Sequence, residues 1–244
     1  MAFGIQCFND SNELTVSSDG YFLTYLGRAT LDTLHHASGV STSSTGGYAT
    51  WKFTHAGPVM AAILLRAPSG SGGSCIFGQR QISGVWYFDV LDVLNTTESI
   101  GSTAYQVPRS DSEIYVFGVP DTLGAFGMAI YGPSGDLRGD LTGKPLAAAA
   151  RVSLGSGVSS TTIPALTKPA IMGDVYSYHN TSVSAGGGFW NNTGFDGIWT
   201  LGSPSTNLSR TDIVTAFDKD DSSVPTFNVR GATNAIMIEA NGLP

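Results

Sequence analysis

The chain has 244 residues, a formal net charge of −7 and only 13% charged residues, about half the usual ~25%. No basic run occurs, which argues against a nucleic-acid partner, because phosphate neutralisation needs clustered Lys and Arg. Glycine is abundant, at 31 residues, Ser and Thr are frequent and long Glu/Lys helices are absent, a mix that suits short strands joined by small-residue turns.

The first ten residues, MAFGIQCFND, carry neither a basic segment nor a long apolar core, so no signal peptide is expected. No apolar run approaches the ~20 residues of a membrane helix. The expectation is a soluble protein made in a cytoplasm, without membrane insertion. The two cysteines, Cys7 and Cys75, read as small buried hydrophobes before they read as a disulfide.

Phe3, Ile5 and Cys7 alternate with Gly4 and Gln6, the period of a half-buried strand. Asn9 to Asn12 is a turn, and Leu14 and Val16 begin a return strand. The pattern recurs 123 residues later: FGIQCFNDSNEL at Phe3–Leu14 becomes FGMAIYGPSGDL at Phe126–Leu137. Four identities within that motif are joined at the same offset by Gly20/Gly143, Leu23/Leu146, Arg28/Arg151 and Leu31/Leu154. Eight identities over positions 3 to 31 compare with roughly two for unrelated sequence. The chain therefore reads as a tandem duplication, each copy opening with a β-hairpin.

Leu146–Arg151, LAAAAR, favours helix by propensity, but its counterpart Leu23–Arg28, LTYLGR, favours strand. Two copies of one unit share a backbone, so both are assigned to strands. Residues 35–47 read as loop. Trp51 and Phe53 share one face of a strand, and Val59–Leu65 is a buried strand bounded by Pro58 and Pro68. After the small-residue stretch Pro68–Ser74, further strands are expected at Cys75–Phe77, Val85–Leu94, Tyr105–Val107 and Ile114–Val119. The closing strand also echoes, with Ile114-Tyr115-Val116 matching Ile236-Met237-Ile238 at an offset of 122. This predicts an all-β protein of two tandem, duplicated β-sandwich-like domains, 1–121 and 122–244.

The sequence offers several candidate sites. The four histidines, His35, His36, His55 and His179, lack the spacing of zinc ligands and read as loop or surface residues. Asp218 to Ser222 starts like a calcium loop, but Ser223 and Val229 stand where a Gly and a bidentate Glu belong; a solvated acidic loop is the plainer account. Arg138-Gly139-Asp140 spells an adhesive tripeptide that the first copy does not repeat, and Gly and Asp are common in turns. In Gly186–Trp199, GGGFWNNTGFDGIW, aromatics alternate with polar residues in a loop-like setting. Phe189, Trp190, Asn191, Asn192, Phe195, Asp196 and Trp199 are the candidate binding residues, flat faces beside orienting groups; the competing account makes the aromatics core residues on strands. No nucleophile elbow, phosphate loop or cofactor fingerprint occurs, so no cofactor, metal or catalytic residue is expected, although a glycosidase carboxylate pair stays open.

The motif formed by Phe3-Gly4-Ile5, Phe8-Asn9 and Ser11, repeated by Phe126-Gly127-Met128, Tyr131, Ser134 and Gly135, resembles the openings of small tail proteins of tailed bacteriophages. The resemblance covers roughly the first 30 residues of each half. It implies a non-enzymatic virion structural protein of a tail tip, baseplate or fibre, synthesised in the host cytoplasm. By analogy with fibres it implies a homotrimer contacting other tail proteins and a host-surface glycan or protein. The alternatives are a carbohydrate-binding module or lectin, and a polysaccharide-degrading enzyme.

Overall fold

A computed structural model describes residues 6–8, 14–17, 23–36, 47–66, 73–100, 103–122, 129–132, 134–140, 143–154, 160–173, 177–185, 188–201, 207–219, 228–229 and 233–244. Every regular element among them is a strand, and the protein is all-β. The first half contributes β1 (Gln6–Phe8), β2 (Leu14–Ser17), β3 (Thr24–Arg28), β4 (Thr30–His36), β5 (Gly47–Thr54), β6 (Val59–Leu64), β7 (Ser74–Ile82), β8 (Val85–Ile100), β9 (Thr103–Pro108) and β10 (Ile114–Gly118). The second half contributes β11 (Ala129–Tyr131), β12 (Leu137–Asp140), β13 (Ala148–Leu154), β14 (Ser160–Thr162), β15 (Pro169–Gly173), β16 (Ser177–Ala185), β17 (Gly188–Leu201), β18 (Asn207–Lys219), β19 (Asn228–Val229) and β20 (Thr233–Glu239). The alanine-rich run is thus strand, like its counterpart: cross-strand pairing and burial outweigh its helix propensity.

Of the opening motif, β1 pairs with β2 and β11 with β12 as separate two-stranded sheets; residues 3–5, 9–13, 126–128 and 133 lie outside the described residues. Gln6, Cys7 and Phe8 lie opposite Ser17, Val16 and Leu14, with a bulge between Cys7 and Phe8. Ala129, Ile130 and Tyr131 lie opposite Asp140, Gly139 and Leu137, with the bulge between Ile130 and Tyr131. Every pair, and the bulge, is displaced by the same 123 positions.

The main body is two sheets packed face to face, and both halves build both sheets. A six-stranded sheet has the order β13-β20-β15-β6-β10-β3. Outward from its centre it reads β6-β10-β3 in one direction and β15-β20-β13 in the other. A ten-stranded sheet carries β14-β18-β17-β7-β8-β5-β4 along its main path, and the halves meet where Trp199 of β17 pairs with Ser74 of β7. The division at residue 121 therefore runs through the middle of each sheet.

Alternation decides which side chains fill the space between the sheets. Ala61, Ile63, Ile114, Val116, Ile171 and Met237 come from the smaller sheet, and Trp51, Phe88, Val90, Trp199 and Leu208 from the larger, in one core. Trp199 has no exposed surface; burying a ring of its size contributes on the order of 4–6 kcal/mol. The opposite face of the smaller sheet holds a second core of Tyr115, Phe117, Ala170, Met172 and Ile238, packed against Leu23, Leu146 and Leu243.

The mirrored order corrects the offset expected for the closing strands. Arg28 lies opposite Tyr115, and Arg151 lies opposite Ile236. Because Arg28 and Arg151 are 123 apart, Tyr115 corresponds to Ile236, an offset of 121 rather than 122. Burial agrees: Val116 and Met237 share the main core, while Tyr115, Phe117 and Ile238 lie in the second core and Ile236 packs against it. An offset of 122 would equate Ile114 in the main core with Ile236 on the other face, because a one-residue slip inverts every side chain.

Candidate binding site

The larger sheet departs from regular alternation in β7. Ile76 lies opposite Val90 and Gly78 opposite Asp89, so Phe77 is an extra residue and the strand bulges there. Bulges re-aim side chains and are frequent beside sites. Gly78 is part of the device, for a Cβ at that position would lie 2.8 Å from Asp89 Oδ2. Its absence lets the carboxylate rest against the β7 backbone.

From Asp89 a polar chain crosses four neighbouring strands. Thr50 Oγ1 donates to Asp89 Oδ1 at 2.8 Å, and Arg80 pairs with Asp89 Oδ2. His35 Nε2 lies 2.8 Å from Thr50 Oγ1. Since the threonine hydrogen is given to Asp89, the hydroxyl accepts from a protonated Nε2, which assigns the tautomer. His35 stacks on Tyr48 at 4.1 Å between centroids, and Tyr48 meets the edge of Phe77 at 5.3 Å. Burial, then the charge of Asp89, pushes the Tyr48 hydroxyl above its usual range. Thr50 is only 2% exposed, so its hydroxyl is an orienting link rather than a nucleophile that a substrate could reach. The chain holds His35 and Arg80 in fixed positions beside two aromatic rings.

The same stretch of β7 borders an open groove of ≈750 Å³. Its walls include Met60, Gln79, Arg151, Ser153, Asn234 and Ile236. Gln79 Nε2 donates to the Val59 carbonyl at 3.0 Å, tying β7 to β6. Nearby, Gly173 lies beneath the Trp199 ring, where an added Cβ would be 2.5 Å from Nε1.

A second polar assembly joins the halves across the small sheet. Glu113 receives Arg28 and Lys168 at 2.9 Å each and the Tyr115 hydroxyl at 2.7 Å. Arg28 and Lys168 also approach the Tyr115 ring at 5.3 and 5.5 Å. Partial burial raises the Glu113 carboxyl, but Lys168, Tyr115 and Arg28 together outweigh it and hold the group below the ordinary glutamate range. Hydrogen bonding from Arg109 holds Asp111 down to about 2, with Arg66 adding to it. Asp92 shows the opposite balance: burial pushes its carboxyl up, against bonds from Ser112 and Ser74. Each group is satisfied by protein partners, so this cluster reads as a fastening rather than a site.

The residues singled out in sequence fall elsewhere. Gly186–Trp199, expected in a loop-like setting, is mostly β17, which pairs with β16 and β18. On that strand Trp190 lies opposite Val183, Asn191 opposite Ser182, Asn192 opposite Thr181, Phe195 opposite Tyr178 and Asp196 opposite Ser177. Phe189 faces Ser184 near the hairpin end. The side chains of these six lie outside the described residues; Trp199 is in the core. Of the loop expected over 35–47, His35 and His36 belong to β4 and Gly47 begins β5, and residues 37–46 lie outside the described residues. Arg138-Gly139-Asp140 forms part of β12, with Asp140 only 3% exposed. Asp218 ends within β18, and residues 220–227 lie outside the described residues. Among the described residues no cluster of three His, Cys, Asp or Glu could hold a metal ion, and no helix is long and apolar enough to cross a membrane.

The polar chain had no sequence signature, since its members come from four strands and only cross-strand register unites them. No family model, curated protein or solved structure matches the chain.

Proposed function

We propose that the chain is a non-enzymatic structural protein of a bacteriophage tail tip, baseplate or fibre that contributes to host attachment. The observation that carries this reading is the repeated hairpin. Beside the residues that resemble tail-protein openings, the strand pair Gln6–Phe8 and Leu14–Ser17 recurs as Ala129–Tyr131 and Leu137–Asp140 with the same register and bulge, each pair a sheet of its own. A tandem duplication accounts for this, and two like hairpins on one body give an assembling particle two equivalent points of attachment. The partners are other tail proteins and further copies of this chain, with a trimer expected from fibre symmetry, and the location is the virion. The part of β17 that carries Phe189 to Asp196 is proposed for the host-facing end.

The groove beside Met60 and Arg151 favours a second reading, a carbohydrate-binding module, because an open cavity with an apolar wall and several polar groups suits a sugar. The deciding experiment is adsorption of fluorescently labelled protein to candidate host cells, with intact phage particles as competitor. Saturable binding displaced by particles supports the tail reading. Binding to cells that particles leave untouched, or a folded chain that neither adsorbs to cells nor associates with tails, overturns it.

A further inference from the structure

The halves carry the same arginine in the same place with different company. With Tyr115 equivalent to Ile236 through the shared pairing to Arg28 and Arg151, Glu113 is equivalent to Asn234. In the first half Glu113 Oε2 lies 2.9 Å from Arg28 Nη1, and the Tyr115 ring lies 5.3 Å beneath the guanidinium. In the second half the carboxylate is replaced by an amide and the ring by an isoleucine. Among the described residues Arg151 makes no ion pair, hydrogen bond or ring contact through its side chain. Arg151 and Asn234 both line the ≈750 Å³ groove.

We propose that this groove binds a carboxylate-bearing sugar, whose carboxylate occupies beside Arg151 the place that the Glu113 side chain occupies beside Arg28. A guanidinium fork matches a carboxylate with two parallel hydrogen bonds. Asn234, Ser153 and the Gln79 amide supply donors and acceptors for ring hydroxyls. Met60, 39% exposed, and Ile236 give an apolar wall for the C–H face of a sugar ring. The volume falls within the range of small-molecule sites. The chain is acidic overall, at −7, so the general field disfavours anions and the unpaired Arg151 is what selects for one. The inference concerns ligand chemistry and does not rest on the tail reading.

The test is titration of the full chain with D-glucuronate and with D-glucose, followed by NMR. Glucuronate binds saturably and glucose at least tenfold more weakly. Arg151→Ala abolishes the preference. Asn234→Glu, which restores the internal carboxylate of the first half, weakens glucuronate at least tenfold with no loss of melting temperature. No saturable glucuronate binding, equal binding of the two sugars, or glucuronate affinity unchanged in a folded Asn234→Glu variant overturns the proposal. Cell adsorption is read separately, so a chain that adsorbs in competition with particles but ignores glucuronate sinks this inference alone.

Discussion

Replacing Gly173 by alanine tests how tightly the two sheets are packed against each other. The new Cβ would lie 2.5 Å from Trp199 Nε1, 3.0 Å from its Cε2 and 2.9 Å from Ala235 Cβ. Neither neighbour can yield cheaply. Trp199 is fully buried on the strand that joins β7 in the larger sheet, and Ala235 is paired opposite Gly173. Overpacking of this kind costs about 1–3 kcal/mol, and two close approaches on different strands place this case near ~2–3 kcal/mol. For a chain of this size that lowers Tm by roughly 5–10 °C. Trp199→Phe removes Nε1 and part of the ring, so in the double variant the two costs overlap and fall short of additivity by about 1 kcal/mol or more. Thermal unfolding of the wild type, both single variants and the double variant, followed by circular dichroism and tryptophan fluorescence, gives the complete cycle. A Gly173→Ala protein melting within about 1 °C of wild type, or strictly additive variants, would refute the packing argument.

Other outcomes follow from the polar groups. Gly78→Ala drives a Cβ against the Asp89 carboxylate, which sits 2.8 Å from that position; losing the Thr50 bond costs ~1–2 kcal/mol, and the His35 ring resonances shift, whereas an unmoved His35 spectrum would contradict the chain of bonds. Glu113 and Asp111 have folded-state carboxyls held below their ordinary values, so the stability they add is present above the ordinary carboxyl range and is lost as pH falls through the folded values, near 2 for Asp111. Glu113→Gln therefore lowers stability by ~1 kcal/mol at neutral pH, discounted for exposed partners, and the gap to wild type in urea narrows as the solution is acidified. A gap constant down to acid pH would rule that out. Cys75 is fully buried and burial pushes its thiol up, so in a Cys7→Ser background no thiol reacts with a disulfide reagent until denaturant is added.

Much of the strand pattern was legible because it is local. The alternation that reaches Cys7 and its echo at Ile130 signalled the strands Gln6–Phe8 and Ala129–Tyr131, with Phe3 and Ile5 outside the described residues, and comparison of Leu23–Arg28 with the alanine-rich run named a strand where propensity alone suggested a helix. What was not legible is non-local. Bulges at Leu26 and Ala149, the unpaired residues between Tyr25 and Gly27 and between Ala148 and Ala150, shift register without any composition signal, and the offset of the closing strands was missed by one. The aromatic stretch left two readings, a loop-borne site and core residues on strands, because Gly and Asn interrupt its period; the strand reading holds for β17, with two register shifts along it, and the core reading for Trp199. His35, Thr50, Arg80 and Asp89 span 54 positions and meet only through the sheet. Which strand neighbours which is a choice made by burial over long separations, and no single segment encodes it.

The central seam has a consequence for synthesis. β6 pairs with β15, where Ile63 meets Ile171, so the strand with the fully buried Ala62 and Ile63 waits for a partner more than a hundred residues downstream. At ribosomal rates of about 5–20 residues per second, that is roughly 5–20 s with an apolar strand edge open to other nascent chains. A first half released alone keeps that edge indefinitely. Pairings this distant also make folding slow, which favours cells with ample chaperone capacity for producing the protein and predicts that yield falls faster with temperature of expression than the stability of the finished fold would suggest.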